Sequence, residues 1–143
     1  MEEYVIDANI IFSGLISGKG LYLKIFEDYV FYTPDFALVE LQKYQSEILK
    51  KTKLKKELLK EFIINVFSNI IILPDLFISE KSRIKAYNLC KDIDLKDTIY
   101  VSLAIELNKK LITRDIPLYE GLLSKGFKDV IMFDEFVKNL ENK

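Results

Sequence analysis

Five short runs rich in β-branched and aromatic residues, EYVID, VFYT, IIIL, LIT and VIMF, are separated by longer segments of helical period. This alternation constrains the fold more than any other feature. A strand joined to the next through a helix-length connection cannot close as a tight hairpin, and instead pairs in parallel with the helix packed over the sheet. The pattern therefore predicts an α/β domain with a mostly parallel sheet of about five strands. With 143 residues, half of them hydrophobic, the chain reads as a single domain over residues 1–143.

Between the strands, IIFSGLIS and LYLKIFEDY read as helices broken by GKG. Pro34 is expected to open one long helix through DFALVELQKYQSEILKK, because proline is favoured in the first helical turn. Further helices are predicted at KKELLKEFIINVFS, SEKSRIKAYNLCK, KDTIYVSLAIELNK, PLYEGLLSKG and DEFVKNLEN. In open parallel sheets, ligands bind beyond the carboxyl ends of the strands, so acidic residues at strand exits are the positions to weigh.

The chain contains no histidine. That removes the commonest general base, the commonest zinc ligand and every Ser–His or Cys–His nucleophile pair. Carboxylates are left as the main carriers of chemistry, and they favour hard cations such as Mg²⁺ and Mn²⁺. Charges nearly balance, with 21 Lys+Arg against 22 Asp+Glu, so polyanion binding would need local patches. The lysine-rich KKTKLKKELLK could supply backbone contacts to a nucleic acid, although Glu57 and Glu61 also suit it to a solvated face. The lone Cys90 reads as a small buried hydrophobe. An acidic N-terminus and the lack of a long apolar run give no signal for secretion or membrane insertion, so a cytoplasmic location is expected.

Asp7 follows the first strand among Val5, Ile6, Ile10 and Ile11, where an ionised carboxylate is costly without a partner. Asp115 follows the fourth strand, so in a parallel sheet both acids open onto one edge. Each also precedes a helix, where aspartate is a favoured N-cap. Asp94 and Asp97 have the spacing of a variant capping box, yet Asp97 shares the inward face of its helix with Val101 and Ala104. Glu40 lies at the margin of the stripe formed by Ala37, Leu41, Tyr44 and Ile48. If Asp7, Glu40, Asp97 and Asp115 converge, each pair at 4 Å repels by about 4 kcal/mol at an effective dielectric near 20. Divalent cations would relieve that repulsion and could also hold a phosphodiester for hydrolysis.

These pieces, VIDANII, LVELQK, DLKDTIYVSLAIEL and LITRD, with MFDEFVKNL closing the chain, resemble the PIN-domain family of metal-dependent ribonucleases. The likeness covers nearly the whole chain, and GLISGKG is similar to VapC-type toxins of toxin–antitoxin pairs. The resemblance implies a doubly wound α/β/α sandwich, a cofactor of Mg²⁺ or Mn²⁺, and endonucleolytic cleavage of RNA. It implies that Asp7, Asp97 and Asp115 hold the metal, that Glu40 completes the shell or binds through water, and that Asn9 and Thr113 orient the carboxylates. Asp94 stands where relatives carry an acid that can join the site. Arg114, beside Asp115, could grip a phosphate. An antitoxin partner and a homodimer are implied as well; the rival is a PIN-fold RNA-binding or scaffold subunit with weak turnover.

Overall fold

The computed structural model describes residues 2–142. Strands β1 (Glu3–Ile6), β2 (Val30–Pro34), β3 (Ile70–Leu73), β4 (Lys110–Thr113) and β5 (Val130–Met132) form a five-stranded sheet in the order β3-β2-β1-β4-β5, and every pairing is parallel. All five fall on the runs expected from their β-branched and aromatic content, with β2 and β4 each reaching one residue beyond. Helices α1 (Ala8–Ser17), α2 (Gly20–Asp28), α3 (Phe36–Lys43), α4 (Gln45–Lys51) and α5 (Lys56–Ser68) lie on the connections toward β3. Helices α6 (Glu80–Cys90), α7 (Thr98–Leu107) and α8 (Ile116–Ser124) lie on those toward β5, and α9 (Phe133–Glu141) closes the chain.

Right-handed crossovers running in opposite directions from β1 put their helices on opposite faces. The packing agrees: α1 and α2 pack on α5, whereas α6 packs on α7 and α8. Tyr4, Phe31, Phe26 and Phe136 form a ring cluster that joins β1 and β2 to α2 and α9, and α7 crosses β1, β2 and β4 with Val101, Leu103 and Ala104 buried. Strand order reverses direction between β1 and β4, so the crevice beyond their carboxyl ends is the switch point where such sheets bind ligands.

Two expectations are corrected. Pro34 does not open a helix; it is the last residue of β2, paired with Leu73, and Asp35 donates its N–H to the Leu73 carbonyl at 2.9 Å. A proline at the end of a strand forfeits one ladder donor, and Asp35 resumes the pairing immediately. The long helix after it is also divided. Tyr44, with φ −100° and ψ 14°, separates α3 from α4 while its ring packs edge-on against Phe12 with centroids 5.7 Å apart.

Gly18 ends α1 at φ 62°, where a Cβ would stand 2.5 Å from Leu54 Cγ. Only glycine meets both conditions, so the GKG break between α1 and α2 has a steric cause. Cys90 is fully buried, and burial first, then the charge of Asp97, pushes its thiol up to about 11. An unreactive packing role follows. Among the described residues no helix is long and apolar enough to cross a membrane.

Candidate active site

Asp7 and Asp115 do two jobs at once. Each caps the helix after its strand: Asp7 Oδ1 accepts from the Ile10 N–H at 3.3 Å, and Asp115 Oδ1 accepts from the Leu118 N–H at 3.0 Å. Capping fixes both carboxylates at the carboxyl edge of the central strands. The capping and site readings are therefore compatible, since a carboxylate has a second oxygen to offer.

For Asp7, that second oxygen accepts from Thr113 Oγ1 at 2.9 Å. The same Thr113 hydroxyl accepts from the Asp115 N–H at 3.1 Å, so one buried threonine ties the two strand exits together. Thr113 thus holds the Asp7 carboxylate in place. Thr33, also buried, donates to the Ile6 carbonyl at 2.8 Å and holds β1 and β2 in place beneath the crevice.

Asp97 ends a 3₁₀ turn (Leu95–Asp97) that leads into α7. Asp94 caps that turn by accepting from the Lys96 N–H at 3.2 Å, and it also pairs with Lys96 Nζ at 3.7 Å. Asp97 does not complete a capping box: it is 9% exposed, and its Oδ2 is buried with no hydrogen-bond partner. The helical period at Asp97, Val101 and Ala104 anticipated the inward position, and the structure adds the orphaned oxygen.

Glu40, half-buried on α3, accepts a short hydrogen bond from the Tyr100 hydroxyl. Tyr100 is a residue that sequence reasoning missed. Its position on the buried face of α7 carried a usable signal, because a buried tyrosine hydroxyl needs a polar partner. Asn9 is exposed, and its side chain lines a small cavity with Phe12, Tyr44 and Glu47; its backbone N–H, rather than its side chain, assists Asp7. Glu106 is half-buried and ties α7 to α6 by accepting from the Ser79 N–H at 2.7 Å and the Ser82 hydroxyl at 3.0 Å.

The electrostatics join these acids into one group. Burial pushes Asp7 up to about 6, opposed by the Thr113 and Ile10 hydrogen bonds and reinforced by the charge of Glu40. Burial also raises Asp97, to about 7, and the charges of Asp94, Asp115 and Asp7 add to it. Asp7 and Asp97 thus both feel other acids across the crevice. Among the described residues, however, no three His, Cys, Asp or Glu side chains stand close enough together to form a ready metal shell. Mutual repulsion favours such spacing, and a cation would have to draw the carboxylates inward. The donor chemistry fits a hard dication: the oxygens are anionic, and the orphaned Asp97 Oδ2 lacks a proton donor.

With this geometry established, comparison with known proteins gives a consistent result. The model of the PIN domain matches residues 5–132, and the chain belongs to that family of nucleases. Among solved structures, the fold is similar to a chain in the crystal structure of VapBC2 from Rickettsia felis bound to a DNA fragment from their promoter. That match has a TM-score of 0.54 and 22% identity over 91% of this chain and 96% of the other. No curated protein sequence matches.

Proposed function

We propose that this PIN domain is a Mg²⁺- or Mn²⁺-dependent endoribonuclease and the toxin of a toxin–antitoxin pair. The observation that carries the reading is the state of Asp97: its buried Oδ2 has no hydrogen-bond partner, and burial with the charges of Asp94, Asp115 and Asp7 raises its pKa to about 7. A buried acidic group of this kind is poised to exchange protons for a dication.

Asp7, Asp97 and Asp115 would hold the metal, with Glu40 completing the shell directly or through water. When bound, the ion supplies charge neutralisation for the phosphodiester and activation of water. The chain's own residues set the stage. Thr113 orients Asp7 and fixes the backbone of Asp115, Tyr100 holds Glu40, and the α1 and α8 caps keep both strand-exit carboxylates at the edge of the crevice. With no histidine in the chain, the protein contributes geometry and charge rather than a nucleophile of its own.

Support for a protein partner comes from a largely apolar groove of about 820 Å³ between α3 and the α6–α7 layer, lined by Phe36, Leu38, Val39, Tyr87, Leu95 and Ile99. A small antitoxin would cover it. Exposed Leu58 and Ile64 on α5 offer a surface for a homodimer. A cytoplasmic setting suits both. The separation of the acids favours a second reading, a PIN-fold RNA-binding or scaffold subunit with weak turnover.

The deciding experiment is cleavage of an end-labelled, mixed-sequence structured RNA by wild type and Asp7→Asn, in Mn²⁺, Mg²⁺ and EDTA. Metal-dependent cutting lost in the variant is expected. RNA binding without cutting in any metal would favour the scaffold reading.

A further inference from the structure

A second cavity, of about 570 Å³, opens between α1, α2 and α9, with Arg114 in its lining. Its lining includes three cations, Lys19, Arg114 and Lys138. Among the described residues, none of the three makes a salt bridge within 4.0 Å, although Asp134 and Glu141 line the same cavity. Unpaired cations gathered in a concave surface form an anion-binding feature that the near-neutral net charge conceals.

Arg114 is unusually well fixed for an exposed side chain. Its guanidinium lies over the Phe133 ring, 5.3 Å from the centroid, and its Nη1 donates to the Tyr22 hydroxyl at 3.2 Å. Tyr22 in turn stacks on Phe133, with centroids 5.6 Å apart and planes 12° from parallel. Gly14 backs the tyrosine so closely that a Cβ there would stand 3.0 Å from Tyr22 Cδ1. Both rings are buried, so the platform is rigid. An arginine held on one face and by one nitrogen keeps other N–H donors free to grip a phosphate, with little rotamer freedom left to lose.

Its place in the chain links the cavity to chemistry. Arg114 stands between Thr113, which holds Asp7, and Asp115 itself. Arg114 is thus the residue that belongs both to the lining of this cavity and to the β4 exit that carries Thr113 and Asp115.

We propose that the α1–α2–α9 groove seats the single-stranded nucleic acid flanking the scissile bond, with Arg114 clamping a backbone phosphate and Tyr22 and Phe133 acting as positioning residues for it. This rests on the nuclease reading above and assigns the substrate's path, the gripping residue and its supports. The groove reads phosphate rather than base, so it adds affinity and register without fixing sequence.

The test is fluorescence anisotropy of a labelled single-stranded RNA with the full chain in EDTA, over a series of salt concentrations, alongside cleavage kinetics in Mn²⁺. Arg114→Ala should weaken binding about tenfold at low salt and reduce the magnitude of the log–log salt slope by about 0.7, the contribution of one phosphate on a single strand. Arg114→Lys should keep the slope and recover only part of the affinity. Tyr22→Phe should weaken binding a few-fold with the slope intact. In cleavage, Arg114→Ala should act mainly on KM. Unchanged slope and affinity in Arg114→Ala would overturn the proposal, as would a wild type that binds no strand. A wild type that binds through Arg114 but never cuts would instead overturn the nuclease reading and leave the strand site standing.

Discussion

Replacing Asp97 by asparagine should stabilise the metal-free protein at neutral pH. In the folded chain burial and three neighbouring acids raise this carboxyl from 3.8 to about 7, so ionising it costs more in the folded than in the unfolded state. At 1.36 kcal/mol per pKa unit the displacement corresponds to on the order of 4 kcal/mol. The sign follows from proton counts. Between pH 4 and 7 the folded state holds a proton at Asp97 that the unfolded state has lost, so stability falls as pH rises through that window and levels off above it. Asparagine is nearly isosteric and uncharged throughout. The gain from Asp97→Asn should be near zero at pH 4, increase toward pH 7, and stay constant at pH 8.

Urea unfolding of both proteins in EDTA at pH 4, 5, 6, 7 and 8 measures the difference directly. Adding Mn²⁺ at pH 7.5 should then narrow the gap. Wild type gains about 2.7 kcal/mol at a free metal concentration one hundred times Kd, and the variant, with a weakened site, gains little. A variant less stable than wild type at pH 8 in EDTA, or a difference independent of pH, would refute the reasoning. Either result would mean that Asp97 serves the fold rather than a cation.

Thr113→Val removes one buried hydroxyl that serves two groups, and should cost about 1–3 kcal/mol in unfolding free energy. Because the Thr113 hydrogen bond lowers Asp7, the variant's Asp7 should titrate above about 6, which carbon-13 NMR of the carboxyl would reveal; an unmoved titration would contradict the assignment. Tyr100→Phe leaves Glu40 without its donor and should weaken Mn²⁺ binding about tenfold by calorimetry. Binding identical to wild type would remove Tyr100 from the support of the site.

The parallel sheet was legible because β-branched and aromatic runs recur between segments of helical period, and no later contact had to override them. Asp97 was legible for a related reason: a 100° advance per residue places it with Val101 and Ala104, and both are buried. Pro34 misled because proline suits a strand end as well as a helix start, and only the pairing with Leu73 distinguishes them. At the break between α3 and α4, Tyr44 packs on Phe12, a contact that the helical period alone cannot bring near. Arg114 and Tyr22 meet across 92 positions of sequence, and each taken singly reads as an ordinary surface charge and an ordinary core ring. Local pattern and resemblance thus pointed to the acids, Thr113 and Arg114, whereas Tyr100 and the Tyr22–Phe133 support of Arg114 came only from tertiary contacts.

The double duty of the strand-exit aspartates makes the choice of substitution decisive. Asp115 Oδ1 caps α8 through the Leu118 N–H, and asparagine caps a helix about as well as aspartate, whereas alanine does not. Asp115→Ala should therefore lose about 1 kcal/mol of stability, while Asp115→Asn should lose almost none. Removing the charge also relieves Asp97, so Asp115→Asn should lower the Asp97 titration from about 7. Both variants should lose metal binding alike, because each lacks the anionic oxygen. The two measurements then divide the residue's roles: unfolding free energy reports the cap, and Mn²⁺ titration reports the charge. If Asp115→Asn binds Mn²⁺ as wild type does, Asp115 belongs only to the helix, and the cation must be held by Asp7, Glu40 and Asp97 alone.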